Sequence, residues 1–326
     1  MKTLFKVLLF LVLLLGLSGV GGYFYMKRKF APPTNQLRIA GLPATGALRW
    51  LADTVARPAV PHAGLLVPIR LPSCPRTCYL QLDTGAPYTV LYAHQLTALR
   101  QRYPALGTSL QLQENVVPEF RFALGSARVV VGNTRVLING TGKMPADSLA
   151  PFIIGSLGTD ALEGRVLVLD YAARRFTLGT EVPASLAARA TFAPLAFPER
   201  RLLLTAALNG EPRQLLFDSG TSAYTLLTSQ ENWLQLAASG AAARTDTTNS
   251  WGKKLLLHTA PTAARLGFGP AAEVALGTVA YMEGMNLMQQ TLMRFSGLDG
   301  MLGNEPFAAG VLVLDVKGGR YGVAGR

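Results

Sequence analysis

The sequence predicts an all-β chain built as two lobes of similar plan, preceded by an N-terminal membrane-spanning helix. Three observations point there. A short motif occurs twice in matched surroundings, as Asp83-Thr84-Gly85 and Asp218-Ser219-Gly220. The same strand-like run recurs after each copy, Val166-Leu167-Val168-Leu169-Asp170 and Val311-Leu312-Val313-Leu314-Asp315. Val7 to Met26 is a run of twenty residues without a charge, about 30 Å as a helix and so the thickness of a bilayer core. The 33 glycines and 20 prolines, with only 15% charged residues, suit strands joined by many turns.

In chain order, Lys2 and Lys6 precede the apolar run and Lys27-Arg28-Lys29 follow it. Its rival reading is a cleaved signal peptide. No Ala-x-Ala-like site stands out, and Tyr23-Phe24-Tyr25 prolongs the span as an interfacial belt, so the retained anchor is the preferred reading. The expected organisation is an anchor (or signal sequence) over 1–29, a tether over 30–61, an N-terminal lobe over 62–185 and a C-terminal lobe over 186–326. Pro32-Pro33 and the prolines at 58 and 61 mark the tether, with one short helix expected around Leu48 to Val55. A Pro- and Ala-rich stretch, Thr180 to Phe197, separates the lobes.

Within each lobe the elements repeat. Leu65 to Arg70 and Leu202 to Ala207 read as strands leading to the motif strands, the second through Asn209-Gly210, a strong hairpin signal. Each Asp ends an apolar run, Tyr79 to Leu82 or Leu215 to Phe217. Each Gly leads to a Tyr-Thr pair, Tyr88-Thr89 or Tyr224-Thr225. Short helices are expected over Ala93 to Arg100 and Ser229 to Leu236, with Thr228 and Glu231 at capping-box spacing in the second. Ile153-Ile154-Gly155 and Met301-Leu302-Gly303 pair as the next matched segments, and Asp170 and Asp315 read as turn residues.

This order of elements resembles the pepsin-like (A1-type) aspartic proteases. The ending carries the resemblance furthest: Met301-Leu302-Gly303, Phe307, Val311 to Asp315 and Arg320-Tyr321-Gly322-Val323-Ala324 follow the family in register. It covers roughly residues 62 to 326 as architecture and only the motifs as sequence. It implies a bilobal acid-protease fold with the site between the lobes. There the carboxylates of Asp83 and Asp218 would share a proton and activate the water that attacks a peptide carbonyl. The resemblance also implies that the Thr84 and Ser219 hydroxyls bond backbone across the two loops, while the Gly85 and Gly220 amides donate to the carboxylates.

Several residues depart from the family pattern. The stretch Val116 to Leu137, where a flap Tyr belongs, contains no Tyr, leaving Phe120 or Phe122 as candidates to cover the cleft. Asn139-Gly140-Thr141-Gly142 lies too far downstream for a flap tip and reads as a turn. Ala86 follows Gly85 as in retroviral-type sites, whereas Thr221 follows Gly220 and keeps a hydroxyl. These departures open a second reading, a pepsin-fold binding or scaffold protein that keeps the dyad loops for structure.

Other chemistries find little support. There is no G-x-S-x-G, no H-E-x-x-H, no phosphate loop and no dinucleotide fingerprint. No cofactor or metal is expected, because His62, His94 and His258 are dispersed. The net charge of +12 comes largely from scattered Arg without interleaved aromatics, which argues against nucleic acid and favours anionic surfaces. Cys74 and Cys78, the only cysteines, flank Pro75-Arg76-Thr77 and read as a disulfide pinching the turn before the Asp83 strand. That would imply an oxidising compartment and an extracytoplasmic catalytic part. The expected whole is a monomeric, membrane-anchored aspartic endopeptidase acting on polypeptides.

Overall fold

The computed structural model describes Gly22, Arg28 and residues 31–53, 60–221, 224–250, 253–269, 272–284 and 298–325. Apart from Gly22, the expected membrane span lies outside the described residues, and no described helix is long and apolar enough to cross a membrane. The chain divides into two units, Met1–Thr34 and Asn35–Arg326, and every described strand belongs to the second.

Asn35–Arg326 is mostly β, arranged as one eight-stranded and one thirteen-stranded sheet. The two halves repeat one unusual topology. In the first, the strand Cys78–Leu82 runs parallel to Ile153–Leu157, which is antiparallel to Val90–Tyr92, which is in turn parallel to Ala127–Leu137. In the second, Glu211–Phe217 runs parallel to Gly300–Leu302, which is antiparallel to Leu226–Thr228, itself parallel to Glu273–Glu283. Each motif loop therefore leaves one strand and re-enters the sheet on the far side of a third. That placement holds it at the strand ends.

The halves are joined through the recurrent strand. Val166–Asp170 pairs antiparallel with Val311–Asp315, Val168 opposite Val313, so that two near copies face each other about a local twofold. Each is flanked by its own hairpin partner, Arg175–Gly179 or Arg320–Ala324. Beyond these lie Ala44–Ala47 on one side and Thr191–Ala196 on the other. Asp170 and Asp315 do close the turns: Asp170 accepts from the Ala173 amide at 2.8 Å and Asp315 from the Gly318 amide at 2.7 Å.

Alternation packs the core. In Cys78–Leu82 the residues at 78, 80 and 82 are buried and those at 79 and 81 are not, the period-two pattern of a strand with one dry face. The Asn209-Gly210 hairpin forms as expected, with φ of 50° and 86° and Leu208 opposite Glu211.

Four expectations are corrected. Residues 30–61 are not a plain tether: Leu37–Ala40, Ala44–Ala47 and Arg49–Asp53 are strands. No helix forms around Leu48; Arg49–Asp53 instead pairs with Val60–Arg70, and Trp50 stacks on Tyr171 at 5.7 Å between ring centres. Ladder pairing and aromatic burial outweigh local helix propensity there. The helix Gln230–Leu236 is capped by Ser229, whose hydroxyl accepts from the Asn232 amide at 3.2 Å. Thr228, expected as the cap, donates instead to the Asp299 carbonyl at 2.6 Å.

The fourth correction concerns the cysteines. Cys74 and Cys78 are free thiols and their sulfurs are not at bonding distance. The turn is held by Arg76 instead, a buried guanidinium donating to the carbonyls of Pro145 at 3.2 Å, Asp147 at 2.9 Å and Ala150 at 2.8 Å. Burial, with Cys74 adding to it, pushes the Cys78 thiol up to about 12. A thiol that resists ionisation is a poor partner in disulfide exchange.

Candidate active site

The two motif loops meet. The Asp83 amide donates to the Leu157 carbonyl at 3.0 Å, and the Asp218 amide to the Leu302 carbonyl at 2.9 Å. Each bond continues a parallel ladder, Leu82 beside Leu157 and Phe217 beside Leu302. These registers make Ser156-Leu157-Gly158 the counterpart of Met301-Leu302-Gly303. The match expected from sequence, Ile153-Ile154-Gly155, is three residues too early. Gly158 explains itself by space: a Cβ there would stand 2.4 Å from the Tyr88 carbonyl carbon.

Thr84 and Ser219 form a reciprocal clasp. The Thr84 hydroxyl donates to the Phe217 carbonyl at 2.9 Å and accepts from the Ser219 amide at 2.8 Å. The Ser219 hydroxyl donates to the Leu82 carbonyl at 2.8 Å and accepts from the Thr84 amide at 3.1 Å. Both side chains are buried, so no water competes for these four bonds. The clasp ties the residue before each Asp to the residue after the other.

The carboxylates sit over the opposite glycines. A Cβ on Gly85 would lie 2.5 Å from Asp218 Oδ2, and one on Gly220 would lie 2.6 Å from Asp83 Oδ1. Only a residue without a side chain permits this approach. Asp83 Oδ1 accepts from the amides of Gly85 at 3.1 Å and Ala86 at 3.2 Å. Asp218 Oδ1 accepts from Gly220 at 2.8 Å and from Gly85 across the gap at 3.2 Å. The Gly85 amide thus lies between both groups.

Burial, with the neighbouring Asp218 carboxylate adding to it and the Gly85 and Ala86 amides opposing, pushes the Asp83 carboxyl up to about 7. Asp218 is itself 7% exposed. Two carboxylates so placed keep one proton between them well above the usual carboxylate range. Thr221 ends the single turn Ser219–Thr221; its side chain lies outside the described residues.

Three supporting groups carry no motif in the sequence. Asp160 accepts from the Thr89 amide at 2.8 Å and the Thr89 hydroxyl at 2.9 Å, bracing the return of the first loop. In the second half Asn304 braces the motif loop itself: it donates to the Ser219 carbonyl at 3.1 Å and accepts from the Tyr171 hydroxyl at 2.6 Å. Tyr92 shares a hydrogen bond of 2.8 Å with Ser156, and its ionisation is suppressed by burial and, in part, by the charge of Asp83. Asp160 and Asn304 follow the glycines of the matched segments by one or two residues, a signal that only the correct register exposes.

The hairpin Val116–Leu124 with Ala127–Leu137 does not supply the expected cover. Phe120 and Phe122 are buried in the core, 4.9 Å apart between ring centres. The tip packs on the strand Ala44–Ala47 and the residue before it. Gly125 lies so close that a Cβ would stand 2.3 Å from the Thr45 carbonyl oxygen, and the Ser126 hydroxyl donates to the Pro43 carbonyl at 3.2 Å.

No family model matches the chain, and no curated protein matches it. Among solved structures it is similar to conglutin gamma, a basic 7S globulin from lupine seeds, at 9% identity and TM-score 0.49, over 87% of this chain and 95% of that one. It is also similar to basic 7S globulin from soybean, at 7% identity and TM-score 0.46, over 86% of this chain and 96% of that one.

Proposed function

We propose that the chain is a pepsin-like aspartic endopeptidase that hydrolyses peptide bonds with a water activated jointly by Asp83 and Asp218. The reciprocal clasp of Thr84 and Ser219 carries this reading. A pair of turns would need no such device, whereas a proton-sharing pair needs its two carboxylates held at fixed separation. The ionised carboxylate takes a proton from the water as its oxygen attacks the carbonyl carbon. The protonated one hydrogen-bonds the carbonyl oxygen, and the pair then returns a proton to the amine as the C–N bond breaks. Membrane association rests on the apolar run Val7 to Met26. The extracytoplasmic placement rested on the disulfide, and that support falls with it.

Turnover of an unfolded protein by the full chain between pH 3 and 7 tests the proposal, with Asp83→Asn and Asp218→Asn beside the wild type. Hydrolysis by the wild type alone is expected. A variant that retains the wild-type rate overturns the dyad. The second reading, a binding protein of the same fold, is favoured by the hairpin whose tip packs on Pro43 and Thr45 instead of reaching the carboxylates. It predicts a well-folded wild type that hydrolyses nothing at any pH.

A further inference from the structure

The strand registers of the first sheet gather four arginines on the face turned away from the core. Arg38 lies opposite Val130, which lies opposite Arg121 on the next strand. One row along, Ala40 faces Arg128, Arg128 faces Ala123, and Ala123 faces Arg70. Directly opposed residues share a face, and so do residues two apart on a strand, so all these side chains project to one side. The alternate residues Leu37, Val129, Val131, Phe120, Phe122 and Ile69 fill the core on the other side.

The result is a shallow recess enclosing about 530 Å³, with a floor of small and apolar residues rimmed by guanidinium groups. All four arginines are exposed. Arg121 is paired with Glu119, whereas Arg38, Arg70 and Arg128 have no carboxylate partner among the described residues. A folded surface gains nothing by collecting three uncompensated like charges, which repel one another. An anionic partner would offset that repulsion, and the flat apolar centre suits a broad surface better than a single small ion. Arg38 also follows the end of the apolar N-terminal run by about a dozen residues, a reach of at most roughly 40 Å for extended chain.

From this charge pattern and this reach we infer that the arginine-rimmed face of the first sheet docks on an anionic phospholipid surface. The guanidinium groups of Arg38, Arg70 and Arg128 engage lipid phosphates, and Ala40, Ala123 and Val130 lie against the interface. The reading is independent of the peptidase proposal, because the face contains neither carboxylate of the dyad.

The test is co-sedimentation of the full chain with vesicles of phosphatidylcholine alone or doped with phosphatidylglycerol. It compares wild type, the triple variant Arg38→Gln/Arg70→Gln/Arg128→Gln, and a charge-matched control, Arg100→Gln/Arg102→Gln/Arg175→Gln. The apolar N-terminal run contributes equally to every sample, so the anionic-to-neutral partition ratio isolates the face. Each arginine removed should lower that ratio roughly fivefold, so the triple variant loses about a hundredfold while the control keeps most of its preference. High salt should erase the difference. Equal ratios for the two variants overturn the inference and return the preference to net charge or to Lys27, Arg28 and Lys29. So does binding to polyglutamate that depends on Arg38, Arg70 and Arg128 more steeply than binding to vesicles, which would make the partner an acidic polypeptide.

Discussion

Replacing Thr84 with Val should destabilise the protein far more than the loss of one surface hydroxyl. The side chain keeps nearly its volume, so the change is almost purely one of hydrogen bonding. Its hydroxyl donates to the Phe217 carbonyl and accepts from the Ser219 amide, in a buried setting. Both backbone groups then lose a partner where water does not reach them. An orphaned buried group costs about 1–3 kcal/mol, so the pair costs about 2–4 kcal/mol after some relaxation. Against a usual total of about 5–15 kcal/mol, that is a large fraction, and for a chain of this size it lowers Tm by roughly 3–7 °C. Ser219→Ala removes the symmetric pair of bonds, to Leu82 and Thr84, and should cost a similar amount. The double variant should fall short of the sum by about 0.5–2 kcal/mol, because once one side of the clasp opens the other is already partly hydrated. Urea unfolding of the four proteins measures the cycle. A Thr84→Val protein within about 0.5 kcal/mol of wild type, the range of an ordinary surface change, would refute the view that these bonds hold the loops together.

The same site and its surroundings carry further expected outcomes. Because the Asp83 carboxyl binds its proton more tightly folded than unfolded, wild-type stability should fall as pH rises from the ordinary carboxylate range through about 7. Asp83→Asn removes the Asp83 share of that fall while keeping an acceptor for the Gly85 and Ala86 amides, so its Tm should fall less steeply across the window, the remainder belonging to groups such as Asp160, which burial also raises; a fall as steep as the wild type's would assign the whole effect elsewhere. The rate of hydrolysis should decline above about pH 7 as the shared proton leaves, and Ala86→Ser, by adding a donor beside Asp83, should move that limb to lower pH in a pH–rate profile. Gly85→Ala should abolish activity, since its Cβ would stand 2.5 Å from Asp218 Oδ2; a soluble variant with wild-type turnover would refute the close approach. Two thiols should react with an alkylating reagent in denaturant without reductant, Cys78 only after unfolding, as read by mass spectrometry.

The parts that were legible in the sequence are those that chemistry restricts to few residue types. Asp83, Thr84 and Gly85 with Asp218, Ser219 and Gly220 each occupy a position where one functional group, or none, fits, and the structure brings all six together. The Val166–Asp170 and Val311–Asp315 strands were visible because each is apolar over its first four residues, as suits a strand buried on both faces. Register was not legible. The stretch from Phe152 to Gly158 offers one apolar pair before a glycine, Ile153-Ile154, whereas the true counterpart begins with the polar Ser156, and only the bond from Asp83 to Leu157 identifies it. The three strands before residue 54 were also hidden. They are short, rich in Ala and Gly, and form only because distant strands complete their ladders.

The pairing of Val166–Asp170 with Val311–Asp315 has a consequence for half of the molecule taken alone. The two strands share the sequence Val-Leu-Val-Leu-Asp and pair antiparallel, valine on valine at the centre, leucine on leucine beside it and valine on aspartate at each end, so that strand can pair with a copy of itself. A fragment ending after Gly179 would carry this strand as a bare edge whose best available partner is the same strand in another copy. Two such fragments could close around a true dyad axis in place of the approximate one, each contributing an Asp83 loop. The intact chain can be seen as that symmetric pair fused head to tail, its second half then free to drift to Ser219 where the first keeps Thr84.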